Sequence, residues 1–222
     1  MNLAINITDW IFLLSMIAAL FISLFHREKK ELFPIQLYII ILLLFNSVLK
    51  TIEILPKNNS SLKFENALIN IFSIFEISIF YYFLFKRISG KVFHIIMKIF
   101  ISIYFALCLR TWIPNPTGFF SYGPALFGIQ GLFITIPCLF YIYEILKSDL
   151  EINLNADANF VAACGILFYS SITIPTYFSW YNLYYLTPGF DKIFIMSNSV
   201  IYTLLILTFM KAYLCPITDQ KE

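Results

Sequence analysis

The chain has 222 residues, of which 60% are hydrophobic and only 13% are charged, and its mean hydropathy is +0.81. Soluble domains are typically about 45–50% apolar and about 25% charged, so this composition excludes a soluble globular protein and indicates a polytopic membrane protein. The net charge of +2 is too small to indicate a nucleic-acid-binding surface, and we expect no separate soluble domain beside the apolar stretches.

Seven stretches of the sequence are apolar and long enough to cross a hydrocarbon core about 30 Å thick as an α-helix. They predict an all-α fold, a membrane bundle of seven transmembrane helices that forms one domain over residues 1–222. The predicted spans cover residues 8–25, 33–55, 67–85, 92–109, 125–146, 160–180 and 193–214. No basic segment precedes the first apolar run, so we expect this span to be retained rather than cleaved as a leader.

The lysines and arginines outside the spans are distributed unevenly between the two ends of the predicted bundle. One end carries nine of them: Arg27, Lys29, Lys30, Lys86, Arg87, Lys91, Lys147, Lys211 and Lys221. The other end carries five: Lys50, Lys57, Lys63, Arg110 and Lys192. Cytoplasmic connections are enriched in these residues, so the distribution predicts an outside N-terminus and a cytoplasmic C-terminus. We expect the protein to lie in a bacterial inner membrane.

A single carboxyl group interrupts the third span. Residues 67–85, ALINIFSIFEISIFYYFLF, contain one charged residue, Glu76, at their centre. An acidic residue at mid-bilayer costs about 2.5–3.5 kcal/mol on insertion scales, so it normally faces the interior of a bundle and has a partner or a function. Glu76 is therefore the first candidate site residue, and Asn70 and Ser73 share its broad helix face.

The second span carries a polar stripe formed by Asn46, Lys50 and Glu53. Their spacing of four and three residues places them on one helix face. We expect Asn46 near the depth of Glu76, and we predict either a Lys50–Glu76 ion pair or an Asn46–Glu76 hydrogen bond. Such contacts could simply join two helices, at about 0.6–2 kcal/mol, or line a pocket for a ligand, proton or ion. The cost of burying an acid favours the pocket.

Two later spans offer further polar residues that could line the same cavity. The seventh span contains Asn198 and Tyr202, and the sixth contains Tyr169 ahead of Pro175. Pro175, like Pro137 in the fifth span, frees a backbone carbonyl about one turn earlier, and such kinks often border cavities. The predicted ligand or ion pocket comprises Asn46, Lys50, Glu53, Asn70, Glu76 and Asn198.

The sequence shows no pattern of a metal, cofactor or catalytic centre. Its four cysteines are isolated in apolar runs, and two histidines are too few for a zinc cluster. A retinal protein would need a lysine at mid-depth in the seventh span, whereas Lys211 lies at the end of that span. We therefore predict no cofactor, no metal and no catalytic residue.

Three segments carry a resemblance: GILFYSS at Gly165–Ser171, NSVIYTLLILTFMKAYLC at Asn198–Cys215, and the lone acid within FEISIFYYFLF. In these segments the chain resembles small bacterial seven-helix integral membrane proteins of unassigned function. The resemblance covers most of the chain, and it implies the bundle but no catalytic residues.

Three classes of function stay open at this point. The first is a receptor-like or sensory module that binds a small or lipidic ligand around Glu76 and acts through a soluble or membrane signalling partner. The second is a proton- or cation-coupled transporter, a channel or a membrane-perturbing effector, with phage defence as one setting. The third is a lipid-acting enzyme, which the lack of hydrolase motifs disfavours. In every case the lipid bilayer is a partner, and we expect no nucleic acid.

Overall fold

The computed structural model describes residues 2–54, 59–113, 123–147, 154–186 and 189–216, without the side chains of residues 2, 3, 53, 54, 59, 60, 181–186 and 191. This part of the chain contains seven α-helices and one short 3-10 turn between the first two. The helices are α1 (Asn2–Phe25), α2 (Phe33–Ile54), α3 (Asn59–Phe85), α4 (Lys91–Trp112), α5 (Pro124–Lys147), α6 (Ala158–Leu186) and α7 (Phe190–Leu214).

The predicted all-helical architecture is confirmed for the described residues. Each of the seven helices is long and apolar enough to cross a membrane, so the chain is a multi-pass membrane protein. Several helices are longer than the predicted spans: α3 begins at Asn59 instead of residue 67, and α6 continues to Leu186 instead of residue 180. Hydropathy marks only the part that suits hydrocarbon, whereas backbone hydrogen bonds continue each helix into the polar segments beyond it.

Helices α5 and α6 are antiparallel and in close contact. A side chain added at Gly131 would meet Ile174, and one added at Gly128 would meet Phe178. The α6 partner therefore moves towards the C-terminus as the α5 position moves towards the N-terminus. The other consecutive helices that pack together are antiparallel in the same way.

Helices α1 and α7 run parallel and bring the first and last helices of the bundle together. Asp9 accepts a hydrogen bond from Ser199 at 2.9 Å, and Lys29 donates to the Tyr213 carbonyl at 2.9 Å. We call the end of the bundle that holds Asp9 and the start of α7 the N-side. The opposite end, which holds Lys29 and the end of α7, is the C-side.

Glycine permits an especially close approach between α6 and α7. A Cβ atom at Gly165 would overlap Thr208 Oγ1 and lie 2.9 Å from Thr208 Cβ. The Thr208 hydroxyl donates to the Leu205 carbonyl at 2.7 Å, so its orientation is already fixed within α7. Only a residue without a side chain fits at position 165 with the two helices at this distance.

The side chain of Lys29 ties the α1–α2 connection to the end of α7. It is 5% exposed, and its Nζ donates to the carbonyls of Ala212 at 3.3 Å, Tyr213 at 2.9 Å and Cys215. The last carbonyls of a helix have no partner within it and carry the negative end of its dipole, so a cation stabilises them. The Tyr213 hydroxyl returns a hydrogen bond to the Leu32 carbonyl at 2.8 Å.

Arg87 links the α3–α4 connection to the start of α6 and to the α1–α2 connection on the C-side. Its Nε donates to Asn159 Oδ1 at 2.8 Å, its Nη2 donates to the Glu31 carbonyl, and its guanidinium lies 3.7 Å from the centre of the Phe83 ring. Burial lowers the pKa of Arg87 to about 10, which still leaves it charged at neutral pH. The C-side connections are thus held to one another by charged hydrogen bonds.

Replacing Lys29 with methionine is expected to lower the free energy of unfolding by about 2–3 kcal/mol, because three carbonyls at the end of α7 lose a charged donor. Unfolding of the purified protein in mixed micelles measures the change. Lys147→Met is the control, since Lys147 is exposed at the end of α5. Equal stability of the two variants would contradict a structural role for Lys29.

Candidate functional site

Glu76 lies at the centre of a hydrogen-bond network that joins four helices. Its side chain is 3% exposed. The Tyr38 hydroxyl on α2 donates to Oε1 at 2.8 Å, and the Gln130 amide on α5 donates to Oε2 at 2.8 Å. The Tyr169 hydroxyl on α6 lies 3.0 Å from each carboxyl oxygen. Three neutral side chains from three other helices therefore surround the carboxyl group of α3.

Aromatic packing fixes the ring of Tyr38. This residue is fully buried, with its ring centre 4.7 Å from that of Phe80 and 5.9 Å, edge-on, from that of Phe209. Phe80 lies one turn after Glu76 on α3, so the helix that carries the carboxyl group also positions the donor. Such aromatic contacts add about 0.5–1.5 kcal/mol each to the burial of the rings.

The close contact between α5 and α6 brings Gln130 and Tyr169 within reach of the same carboxyl group. A Cβ atom at Gly131 would lie 3.1 Å from the Ser170 carbonyl oxygen. The two backbones therefore approach each other next to Gln130 and Tyr169. A hydrogen bond of 2.9 Å from Thr135 to the Ser170 hydroxyl crosses the same interface. The residues that follow Gln130 and Tyr169 thus set an α5–α6 distance at which both side chains reach the Glu76 carboxyl group.

A second layer of contacts orients the Gln130 amide. The Tyr104 hydroxyl on α4 donates to Gln130 Oε1 at 3.4 Å and lies 3.3 Å from the Ser73 hydroxyl. Ser73 in turn donates to the Asn70 carbonyl at 2.8 Å. With its oxygen facing Tyr104, the amide presents its NH2 group to Glu76, which is the only arrangement in which Gln130 donates to the carboxyl group.

The hydrogen bond between Tyr169 and Tyr202 can be donated from either side. The two hydroxyl oxygens are 2.8 Å apart, and either can donate to the other. When Glu76 is ionised, Tyr169 donates to it and accepts from Tyr202. When Glu76 carries a proton, it can donate to Tyr169, which then donates to Tyr202. The Glu76 carboxyl group and the Tyr169 hydroxyl can therefore keep hydrogen-bond partners in either protonation state.

No lysine, arginine or histidine in the described part of the chain contacts Glu76. The titratable groups that face it are tyrosines: Tyr38 on α2, Tyr104 on α4, Tyr169 and Tyr177 on α6, and Tyr202 on α7. A buried ion without an opposite charge keeps a desolvation cost that neutral donors offset only in part. Taking up one proton would remove this cost.

The predicted Lys50–Glu76 ion pair is wrong. Lys50 pairs with Asp9 on α1 instead, at 2.9 Å from Nζ to Oδ2, with the Lys50 side chain 54% exposed. The other Asp9 oxygen accepts from Ser199 at 2.9 Å. This N-side cluster joins α1, α2 and α7 near the end of the bundle.

The depth of α2 explains the error. Tyr38, not Asn46, is the α2 residue at the level of Glu76. At 1.5 Å per residue, Asn46 lies about 12 Å and Lys50 about 18 Å further towards the N-side. The predicted Asn46–Glu76 hydrogen bond is also wrong, since Asn46 donates to the Leu42 carbonyl at 3.0 Å within its own helix.

The other predicted site residues have different positions. Asn70 is buried and lies in the second layer, where its carbonyl accepts from Ser73. Asn198 is half-buried on α7, outside the set of residues that line the cavity beside Glu76. Glu53 falls in the last turn of α2, and its side chain lies outside the described residues.

A small cavity of about 10 Å³ lies beside the Glu76 carboxyl group. Its lining residues are Glu76, Phe127, Gln130, Gly131, Ile134, Tyr169, Thr173 and Tyr177. This volume is enough for about one water molecule, and the polar groups that such a water needs are present. Thr173 and Tyr177 follow Tyr169 on α6, and Phe127 precedes Gln130 on α5, so the cavity extends towards the N-side.

Apolar side chains close the C-side of the network. Ile77, Phe80 and Phe209 are all 0% exposed, and the two phenylalanine rings lie 6.4 Å apart, edge to face. The site is therefore asymmetric, with a small cavity on one side of the carboxyl group and a packed aromatic layer on the other.

Two of the three direct partners of Glu76 were not predicted from the sequence. Tyr169 was named as a residue that could line a cavity but was left out of the predicted pocket, and the structure places it in the lining. Tyr38 and Gln130 were not expected, although each is an isolated polar group in an apolar run and Gln130 adjoins a glycine. An isolated hydrogen-bonding group at mid-span is the signal that could have identified both.

Within the described ranges, no group of three or more His, Cys, Asp and Glu side chains is placed to hold a metal ion. Compared with known proteins, the chain matches no family model, no curated protein and no solved structure. The Glu76 network and its surroundings are therefore the basis on which function is proposed.

Proposed function

We propose that this protein is a receptor-like sensory module whose switch is the protonation of Glu76. The observation that carries the proposal is the binding of a buried carboxyl group by neutral donors alone, from α2, α5 and α6. A carboxyl group in such a setting can gain or lose a proton without breaking an ion pair. The Tyr169–Tyr202 hydrogen bond can reverse to suit either state.

Protonation would change the contacts that hold three helices, α2, α5 and α6, to α3. The ionised form requires donors on both oxygens, whereas the protonated form needs one acceptor. A hydrogen bond to a charged group is worth about 1.5–3 kcal/mol, and a neutral one about 0.5–1.5 kcal/mol. A difference of 1–3 kcal/mol shifts a two-state equilibrium by about 5- to 150-fold, enough to favour a different packing of α2, α5 and α6.

The stimulus reaches Glu76 from the N-side in this proposal. The cavity lies on that side, and the aromatic layer of Phe80 and Phe209 separates Glu76 from the C-side. With a volume of about 10 Å³, the cavity suits a proton carried by water rather than a larger ligand. A small or lipidic ligand would act by opening the α5–α6 contact at Gly131.

In this proposal the C-side faces the cytoplasm and contacts a signalling partner. The excess of Lys and Arg in the C-side connections supports a cytoplasmic C-side and an outside N-side in a bacterial inner membrane. A signalling protein, soluble or membrane-bound, would then receive the change in helix packing on the C-side.

Difference infrared spectra of the protein in nanodiscs, recorded between acidic and alkaline buffer, test the switch. We expect the carbonyl stretch of a buried protonated carboxyl group in the wild type and its loss in Glu76→Gln. Glu65→Gln is the matched control, because Glu65 lies three turns earlier on α3 and outside the network. Identical spectra for the wild type and Glu76→Gln would refute the proposal.

A proton-coupled transporter is the second candidate, and the small cavity beside Glu76 on its N-side favours it. Transport also requires a route to the C-side, which the aromatic layer blocks in this conformation. Proton flux into liposomes that occurs with the wild type and is absent with Glu76→Gln would favour the transporter over the sensor. No flux, together with the infrared signal of Glu76, is the result expected of a sensor.

A further inference from the structure

A groove opens on the C-side between the α1–α2 connection, the start of α2 and the end of α7. Its volume is about 310 Å³, within the range of sites that hold small molecules. The lining residues are His26, Arg27, Lys29, Lys30, Phe33, Gln36 and Tyr213. The bonds of Lys29 and Tyr213 between the connection and α7 hold the floor of the groove in place.

Two of the cations in the groove are available to a ligand. Arg27 and Lys30 are exposed, and their side chains make no hydrogen bond or ion pair with the residues that the structure describes. Lys29 differs from them, because its ammonium group is occupied by carbonyls at the end of α7. Arg27 offers a planar fork that suits two phosphate oxygens, and Lys30 offers a compact charge.

Two acidic residues, Glu28 and Glu31, neighbour these cations in the α1–α2 connection, and the carboxyl group of Glu28 is already engaged. Glu28 contacts His26 at 3.1 Å. Hydrogen bonds from its own backbone N–H and from His26 lower the pKa of the Glu28 carboxyl group, so it is ionised at neutral pH. The three cations of the connection, Arg27, Lys29 and Lys30, still outnumber its two carboxylates, Glu28 and Glu31, so the groove keeps a positive charge.

The groove borders exposed aromatic surface. Phe33, in its wall, is 59% exposed, and Phe25, at the end of α1, is 81% exposed. Both lie where a membrane-spanning helix ends, at the level of the lipid headgroups. A ligand that carries both phosphate and hydrocarbon would match the cations and the aromatic rings together.

We propose that this groove binds the phosphate of an anionic phospholipid, with Arg27 and Lys30 on the phosphate and Phe33 against the upper acyl chain. Basic residues between transmembrane helices at a membrane surface attract anionic headgroups, at about fivefold in affinity for each cation. The half-buried side-chain amide of Gln36, which also lines the groove, supplies a further donor. The site is independent of the protonation of Glu76.

Native mass spectrometry of the full chain in detergent tests the groove, with phosphatidylglycerol and phosphatidylcholine of matched acyl chains as probes. We expect the wild type to retain phosphatidylglycerol preferentially and the double variant Arg27→Gln/Lys30→Gln to bind it about 20-fold more weakly. The control is Lys86→Gln/Lys147→Gln, which removes two exposed C-side cations outside the groove. Unfolding measurements on both variants establish that they remain folded.

Two results would overturn the proposal. The first is an equal loss of phosphatidylglycerol in both double variants, which would mean that only the overall charge of the C-side matters. The second is displacement of the lipid by millimolar inorganic phosphate or glycerol phosphate, which would assign the groove to a soluble phosphate. Retention against both soluble probes, with loss in the groove variant alone, is the result expected of a lipid headgroup site.

Discussion

Glu76→Leu is expected to lower the free energy of unfolding by about 2–5 kcal/mol, the largest effect of any single substitution in the network. It removes the acceptor shared by Tyr38, Gln130 and Tyr169. Each buried donor left without a partner costs about 1–3 kcal/mol, although Tyr169 keeps its bond to Tyr202. Unfolding in mixed micelles, followed by circular dichroism, measures the loss.

Two further variants separate the hydrogen bonds from the volume of the side chain. Glu76→Gln keeps the shape and one acceptor, so its cost should be about 1 kcal/mol. Combining Glu76→Leu with Tyr38→Phe and Gln130→Leu removes the unsatisfied donors and should recover part of the stability. If Glu76→Leu were no less stable than the control Glu65→Leu, the network would not stabilise the bundle.

Gly165→Val is expected to separate α6 from α7 and to lower the free energy of unfolding by about 3 kcal/mol or more. The new side chain would overlap Thr208, whose Cβ atom lies 2.9 Å from the added Cβ. Because α6 carries Tyr169 and α7 carries Tyr202, the separation should also disturb the network around Glu76. Yield of folded protein and its melting temperature in detergent check the prediction.

Gly123 provides the matched control, because a Cβ atom there meets nothing closer than 3.7 Å. Gly123→Val should therefore melt close to the wild type. A paired change tests the cause directly: Gly165→Ala should be destabilising alone, and Thr208→Gly should restore part of the loss by making room on α7. Loss of stability in Gly123→Val equal to that in Gly165→Val would contradict a contact-specific effect.

The number of helices could be predicted because hydrocarbon selects long apolar segments, whatever the segments pack against. The helix ends were less predictable. The segment at 59–66 contains Lys63 and Glu65, which do not look like part of a span, yet α3 includes it because a helix needs only backbone hydrogen bonds to continue.

The position of the candidate site could be predicted, but its partners could not. Glu76 was identifiable because an acid at mid-span is costly wherever it faces. Its partner on α2 depends on the axial offset between α2 and α3. An apolar sequence does not reveal this offset. Tyr38 is level with Glu76, whereas Lys50 reaches Asp9. Oppositely charged residues therefore suggested a pair that the helix offset does not allow.

The contact between α1 and α7 also sets an order of assembly. Helix α1 is synthesised before α7 and needs α7 to complete its packing, since Ser199 donates to Asp9 and Lys29 donates to carbonyls at the end of α7. Lys50 can hold Asp9 as soon as α2 is in place, but Lys29 has no comparable early partner in the contacts described. During synthesis the face of α1 that packs on α7 therefore lacks these contacts until α7 enters the bilayer.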